Sequence, residues 1–139
     1  MTDRDGSLAT RFDKSAAFIH LGLGGRAELL EGFSWDPAYL EAYSARTEPD
    51  GPDGRLVSLL AHEADWTGWE RHPAGDELVF VISGRMTVIY DLEGAEHRVD
   101  LGPLEGVINP AGTWHTADVA EAGTALYVTP GRATEHRAR

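Results

Sequence analysis

Four side chains that can ligate a metal ion stand in two short parts of the sequence. The segment WTGWERH carries Glu70 and His72, and Glu77 follows after the turn PAGD. His115 comes much later, directly after a second turn in PAGTWH. Carboxylate oxygens and imidazole nitrogens are ligands of divalent metal ions, so these four residues are candidates for a metal site.

Strand periodicity predicts where these side chains point. In WTGWERH, the alternation of a β-strand puts Glu70 and His72 on one face together with Trp66. Glu77 opens the run ELVFVIS, and if it points inward, every second residue of the run shares its face. The inward set is then Glu77, Val79 and Val81, and the outward set is Leu78, Phe80 and Ile82.

The elements that must hold these residues are strands. After Gly54 the sequence consists of eight short β-rich runs, each bounded by Gly, Pro or acidic turn residues. They are RLVSLLAHE, WTGWERH, ELVFVIS, MTVIYD, EHRVDL, GVIN, WHTADV and TALYVT. Parallel pairing would need crossover helices, and none fit between these runs. An antiparallel sandwich or closed barrel remains.

The rest of the chain is organised around this region. Pro37 follows Ser34 closely and predicts the first turn of a short helix that ends near Ala45. We expect residues 1–54 to form an N-terminal extension whose helix packs on a barrel core of residues 55–130. The charged residues 131–139 are expected to form a flexible tail.

Composition excludes several classes of partner. The chain has 139 residues, with 23 acidic and 12 basic side chains and a formal charge of −11, which disfavours nucleic acid and anionic membrane surfaces. Without cysteine, a metal must be held by nitrogen and oxygen ligands, and a reducing compartment is expected. No run approaches the roughly 20 apolar residues of a membrane span. We therefore expect a cytoplasmic protein with no membrane partner.

The first candidate segment resembles a known motif. GWERHPAGDELVFVISG is similar to the first motif of the cupin superfamily, in which two ligands flank one residue, a glutamate follows, and a glycine closes the next turn. Here these residues are Glu70, His72, Glu77 and Gly84. The resemblance implies that the first three are metal ligands.

The second candidate segment resembles the second cupin motif. NPAGTWH contains Pro110, Gly112 and His115 at the spacing of that motif. The resemblance extends directly over Gly68 to Val119 and implies an all-β fold: a single antiparallel, jelly-roll-like cupin barrel with a short N-terminal helix. Two positions depart from the pattern, because the first ligand is usually His but is Glu70 here, and the Asn that often follows the second motif is Val119.

The resulting ligand set would contain two imidazoles and two carboxylates. Such a set is compatible with Fe(II), Mn(II), Ni(II) or Zn(II), and without sulfur it does not choose between them. An alternative is that Glu70 and His72 form an ion pair inside a barrel that holds no metal, since a buried unpaired carboxylate would be costly. His115 could equally be a core histidine with one hydrogen-bonded nitrogen.

The remaining tryptophan and histidine residues are not expected to bind a metal ion. Trp66, Trp69 and Trp114 are ordinary core or interface residues that can also wall an apolar pocket. His62 is expected to support the site without ligating a metal. The remaining histidines, which have no motif context, are expected at the surface: His20, His97 and His136.

Two functions follow from the resemblance. One is a metal-dependent cupin enzyme that acts on a small organic molecule by oxygenase, isomerase, cyclase or lyase chemistry. The other is a non-catalytic, sensor-like module that binds a small molecule without metal. Cupins resembling this chain often form homodimers through a sheet face, and we expect the outward residues Leu78, Phe80 and Ile82 to provide it.

Overall fold

The computed structural model describes residues 8–139, so the first seven residues of the predicted N-terminal extension lie outside the described part. That part contains one α-helix, α1 (Pro37–Thr47), and eleven strands. The strands are β1 (Phe18–Leu21), β2 (Ala27–Leu29), β3 (Arg55–His62), β4 (Gly68–Arg71), β5 (Glu77–Val81), β6 (Arg85–Leu92), β7 (Ala95–Leu101), β8 (Gly106–Asn109), β9 (Trp114–Glu121), β10 (Gly123–Thr129) and β11 (Glu135–Ala138).

The strands form two antiparallel sheets. The larger sheet has the order β2-β1-β3-β10-β5-β8, and the smaller has the order β11-β4-β9-β6-β7. The prediction of an antiparallel, mainly β fold with one short helix is confirmed, and β3 to β10 match the eight predicted runs. The predicted closure into a barrel is not observed, because each sheet keeps its own edge strands.

The core lies between the two sheets. Val79 and Val81 of β5 meet Met86 and Val88 of β6 in one cluster of buried side chains. The predicted alternation in β5 is confirmed, since Glu77, Val79 and Val81 are buried while Leu78 and Ile82 are exposed. Each apolar side chain buried in this way stabilises the fold by about 1.5–3 kcal/mol.

Helix α1 begins at Pro37 as predicted and extends two residues beyond Ala45. It is attached to the larger sheet by a hydrogen bond between Tyr43 and His20 and by an ion pair of 2.6 Å between Arg46 and Glu28. No helix in residues 8–139 is long and apolar enough to cross a membrane.

The end of the chain differs from the prediction. Residues 135–138, which were expected to belong to a flexible tail, form β11 and pair with β4. Glu135 forms a 2.7 Å ion pair with Arg71, and the Arg137 guanidinium lies over the rings of Trp69 and Trp114. The local sequence does not predict β11, because its residues are exposed and show no strand alternation. Its partner strand β4 lies far away in the sequence.

Candidate metal centre

The four predicted ligands come together between the two sheets. Glu70 lies in β4, His72 directly follows that strand, and His115 is the second residue of β9. Glu77 opens β5 of the opposite sheet. One ligand atom from each of the four residues lies within 4.8 Å of the other three. The structure thus assembles the predicted group, and ligation itself stays a prediction.

Local structure explains why these residues converge. Glu70 and His115 are direct partners in the pairing of β4 with β9, so both side chains project to the same face. The turn before His115 docks on the other motif through a hydrogen bond from Gly112 N to the His72 carbonyl, at 3.1 Å. Gly112 has a φ of 73°, which glycine adopts without strain and most residues do not.

The distances within the group suit a shared ion better than direct hydrogen bonds. Nε2 of His72 lies 3.2 Å from Oε2 of Glu77, and Nε2 of His115 lies 3.3 Å from Oε1 of the same residue. A usual N–H···O hydrogen bond measures about 2.9–3.0 Å. Donor atoms placed tetrahedrally about 2.1 Å from an ion are separated by about 3.4 Å.

The two imidazoles present the nitrogen that a metal would use. Nε2 of His72 and of His115 is buried, and neither has a hydrogen-bond partner among the described residues. The opposite ring nitrogens are held: Nδ1 of His72 contacts Oγ1 of Thr134 at 2.9 Å, and Nδ1 of His115 contacts the carbonyl of Thr113 at 3.3 Å. Such contacts orient a metal-binding histidine and select its tautomer, so the residues present fit a divalent ion.

The carboxylate of Glu77 is held from both sides. Its Oε1 accepts a 3.0 Å hydrogen bond from the Asn109 amide, and its Oε2 accepts one of 2.6 Å from the Thr129 hydroxyl. The Tyr90 hydroxyl donates to Asn109 in turn. The sequence analysis missed these three residues, because only the strand register shows that Asn109 is the cross-strand partner of Glu77.

Without a metal, the four residues form a coupled ionic group. Burial raises the pKa of Glu70, but contacts with His115 and His72 outweigh it and lower the pKa to about 2. The same contacts hold the pKa of Glu77 well below its usual range, against its burial. Burial lowers the pKa of each imidazole, yet the two carboxylates outweigh it and raise the pKa of His72 and His115 to about 9.

The site opens towards solvent at Glu70. The Glu70 side chain is 24% exposed, whereas those of the other three residues are at most 5% exposed. A shallow depression beside it is lined by Trp66, Trp69 and His136, among others. His136 is exposed as predicted, but its Nε2 lies 3.6 Å from Oε2 of Glu70. Its place at the opening was not predicted, because it depends on β11.

The aromatic residues divide between the two faces of the smaller sheet. The Trp66 ring lies 6.2 Å from the His115 ring, on the side of the site. Trp114 instead stacks with the guanidinium of Arg71 on the outer side. His62 has no ligand atom in the four-residue group and is hydrogen-bonded through Nε2 to the Tyr127 hydroxyl. Burial lowers the pKa of His62, which favours its neutral form.

One histidine prediction is wrong. His20 was expected at the surface but is only 2% exposed. It lies in β1, a strand that the sequence analysis did not predict, and its Nε2 contacts Oδ2 of Asp50 at 2.6 Å. A buried imidazole requires such a partner.

Comparison with known families agrees with this fold. Residues 56–129 match the cupin domain family, which is more than half of the chain, and the protein therefore belongs to the cupin family. No curated protein matches the sequence.

Several solved structures resemble the chain over about half its length. A cupin-2 domain containing protein from Shewanella frigidimarina is 20% identical, with a TM-score of 0.48, over 55% of this chain and 70% of that one. A cupin superfamily protein from Desulfitobacterium hafniense is 21% identical, with a TM-score of 0.47, over 54% and 65% of the two chains. Hydroxypropylphosphonic acid epoxidase from S. wedmorenis is 12% identical, with a TM-score of 0.48, over 54% and 43%.

Proposed function

We propose that this cupin binds a divalent metal ion through Glu70, His72, Glu77 and His115 and acts on a small organic molecule at the opening beside Glu70. The observation that carries the proposal is the pair of buried Nε2 atoms that have no hydrogen-bond partner and face two carboxylates. Fe, Mn, Ni and Zn all accept such ligands.

The side chains of this protein would bind the metal ion and orient the organic molecule beside it. Two carboxylates and two neutral imidazoles would balance the charge of a divalent ion. Glu77 is fixed by Asn109 and Thr129, whereas Glu70 faces the opening, where Trp66 offers an apolar wall to an organic molecule. A bound ion would polarise a carbonyl, lower the pKa of bound water or, if redox-active, react with O₂, which corresponds to oxygenase, isomerase, cyclase or lyase chemistry.

Elemental analysis of the purified protein tests the proposal. We expect about one equivalent of metal per chain, and we expect Glu70→Gln and His115→Ala each to lose it. His97→Ala is the matched control, because His97 is exposed on β7, two strands from His115, and contributes no ligand atom to the group. Stoichiometric metal retained in both site variants would refute the ligand assignment.

A second candidate function rests on the charges of the group. Two carboxylates opposite two imidazoles with a pKa of about 9 neutralise one another without any ion. This observation favours a metal-free module that binds a small molecule. A wild-type protein that remains free of metal after dialysis against each of the four ions would support this alternative over the enzyme.

We also propose that the protein forms a homodimer. Leu78 and Ile108 are cross-strand partners on β5 and β8, both are exposed, and Ile82 lies on the same outer face. Strand β8 is an edge of the larger sheet. The apolar face therefore extends to a strand whose outer edge pairs with no other described strand. A second copy of the chain would cover it.

A further inference from the structure

A second cavity lies on the N-terminal side of the molecule. Its volume is about 180 Å³, and its lining includes His20 of β1, Tyr43 and Ser44 of α1, and the segment Gly131–Ala133. All the residues that line it lie outside residues 56–129, which match the cupin family. The cavity is thus built by the parts that this chain adds to the family domain.

A buried network forms one wall of this cavity. Nδ1 of His20 lies 2.6 Å from the Tyr43 hydroxyl, and Nε2 of His20 lies 2.6 Å from the Asp50 carboxylate. Asp50 also accepts hydrogen bonds from Arg26, at 2.7 Å, and from the backbone N–H of Leu23. The Tyr43 hydroxyl is therefore held in place by a histidine that an aspartate orients.

The charges of the network compensate one another. The hydrogen bond with His20 holds the pKa of Asp50 below its usual range, so Asp50 remains a carboxylate opposite Arg26. Burial raises the pKa of Tyr43 to about 12, so its hydroxyl keeps its proton. The network therefore provides a neutral, preorganised hydroxyl to the cavity without adding negative charge.

Arg132 contributes a positive charge at the cavity that no described residue neutralises. It is half-buried at the cavity, and no described residue forms an ion pair or a hydrogen bond with its guanidinium. Arg132 is the one arginine or lysine among the described residues that line the cavity. A guanidinium binds carboxylate and phosphate groups with two parallel hydrogen bonds.

The cavity is separate from the metal centre. His20, Leu56, Thr129 and Glu77 form one row across the larger sheet, from β1 through β3 and β10 to β5. Three strand spacings of about 4.8 Å place His20 about 14 Å from Glu77. Both sites share the inner face of the sheet, but a small ligand cannot contact both.

We propose that this cavity binds a small organic anion, whose carboxylate or phosphate group pairs with Arg132 and accepts a hydrogen bond from Ser44. Its volume resembles that of the roughly 150 Å³ engineered cavity that holds benzene, so the ligand has about six non-hydrogen atoms. The inference goes beyond the proposed metal-dependent function and does not depend on it.

A titration of ¹⁵N-labelled, metal-free protein tests the proposal. Propionate, phosphate and propionamide are added separately at constant ionic strength, and the backbone amides of Gly51, Gly54, Gly131 and Ala133 are followed. We expect saturable shifts with propionate or phosphate in the millimolar range and none with neutral propionamide. The anion that binds more tightly identifies the preferred group.

Variants assign the binding to the named residues. Arg132→Gln should weaken anion binding about tenfold, because it removes the charged donor. Arg98→Gln changes the net charge equally at an exposed position of β7 and should leave binding unchanged. Ser44→Ala should weaken binding about threefold.

Three results would overturn the inference. They are the lack of saturable shifts with either anion, equal binding of propionamide, and unchanged binding in Arg132→Gln. Arg132 lies between β10 and β11 and forms no other described contact, so Arg132→Gln should fold and tests the proposal without help from a second variant.

Discussion

The Nε2 atom of His115 lies 3.4 Å from Oε1 of Glu70, its direct cross-strand partner. Glu70 occupies the motif position where cupins usually have histidine. Because the strands place it directly opposite His115, the carboxylate lies within 4.8 Å of the other three candidate ligand atoms. Compared with a histidine, Glu70 adds one negative charge to this group, which would favour a divalent cation.

Metal binding should release protons. The pKa of His72 and His115 is about 9 without metal, so both rings are protonated at pH 7, whereas a ligating imidazole must be neutral. We expect about two protons per ion at pH 7. Calorimetric titrations in two buffers with different ionisation enthalpies measure this number. Release of no protons would show that the ion binds elsewhere.

The stability of the metal-free protein should fall at alkaline pH. Both imidazoles have a folded-state pKa above the ordinary value of about 6.5, so their stabilisation is complete below pH 6.5. It is lost as the pH rises through about 9. We expect a loss of roughly 2 kcal/mol for each imidazole between pH 7 and pH 10, or about 4–8 °C in Tm for each. His115→Gln should reduce this dependence.

Thr129 should increase the affinity for metal, because its hydroxyl orients the Glu77 carboxylate. Thr129→Val removes the 2.6 Å hydrogen bond to Oε2 of Glu77 but keeps the shape of the side chain. We expect metal binding to weaken about 10- to 100-fold in a competition with a chelator. Thr124→Val is the control, because it lies in the same strand about 17 Å away. Equal effects in both variants would contradict a specific role for Thr129.

Two glycines distinguish backbone strain from steric overlap. Gly84 and Gly94 have φ values of 78° and 84°, but only at Gly84 would a Cβ lie 2.6 Å from backbone oxygens, those of Glu121 and Ala122. We expect Gly94→Ala to cost about 1 kcal/mol and Gly84→Ala at least about 2 kcal/mol more. Urea denaturation measures both free energies of unfolding. Similar losses would contradict the close approach of Gly84 to the turn between β9 and β10.

Light scattering tests the proposed homodimer. We expect a mass of twice the 15.1 kDa chain and a monomer for Ile108→Glu, since Ile108 is the most exposed residue of the apolar face, at 65%. Leu92→Glu places the same charge at the end of β6 in the other sheet and should remain dimeric. A wild-type mass of one chain would refute the homodimer.

The strands of the family domain could be predicted because their signals are local. Alternation in ELVFVIS put Glu77 and Leu78 on opposite faces, and turn residues separated the eight runs. The short strands β1, β2 and β11 carry no such signal. Strand β11 has four exposed residues, and it forms because β4 offers a partner edge and Arg71 pairs with Glu135.

By itself, the sequence determined the strand-rich class, the common face of Glu77, Val79 and Val81 and the four candidate ligands, since alternation and motif spacing are properties of neighbouring residues. Only the tertiary structure decided that the two sheets stay open, that Asn109 and Thr129 hold Glu77, and that His20 is buried against Asp50. These features depend on strand register and on contacts between distant segments. Local periodicity contains no information about either.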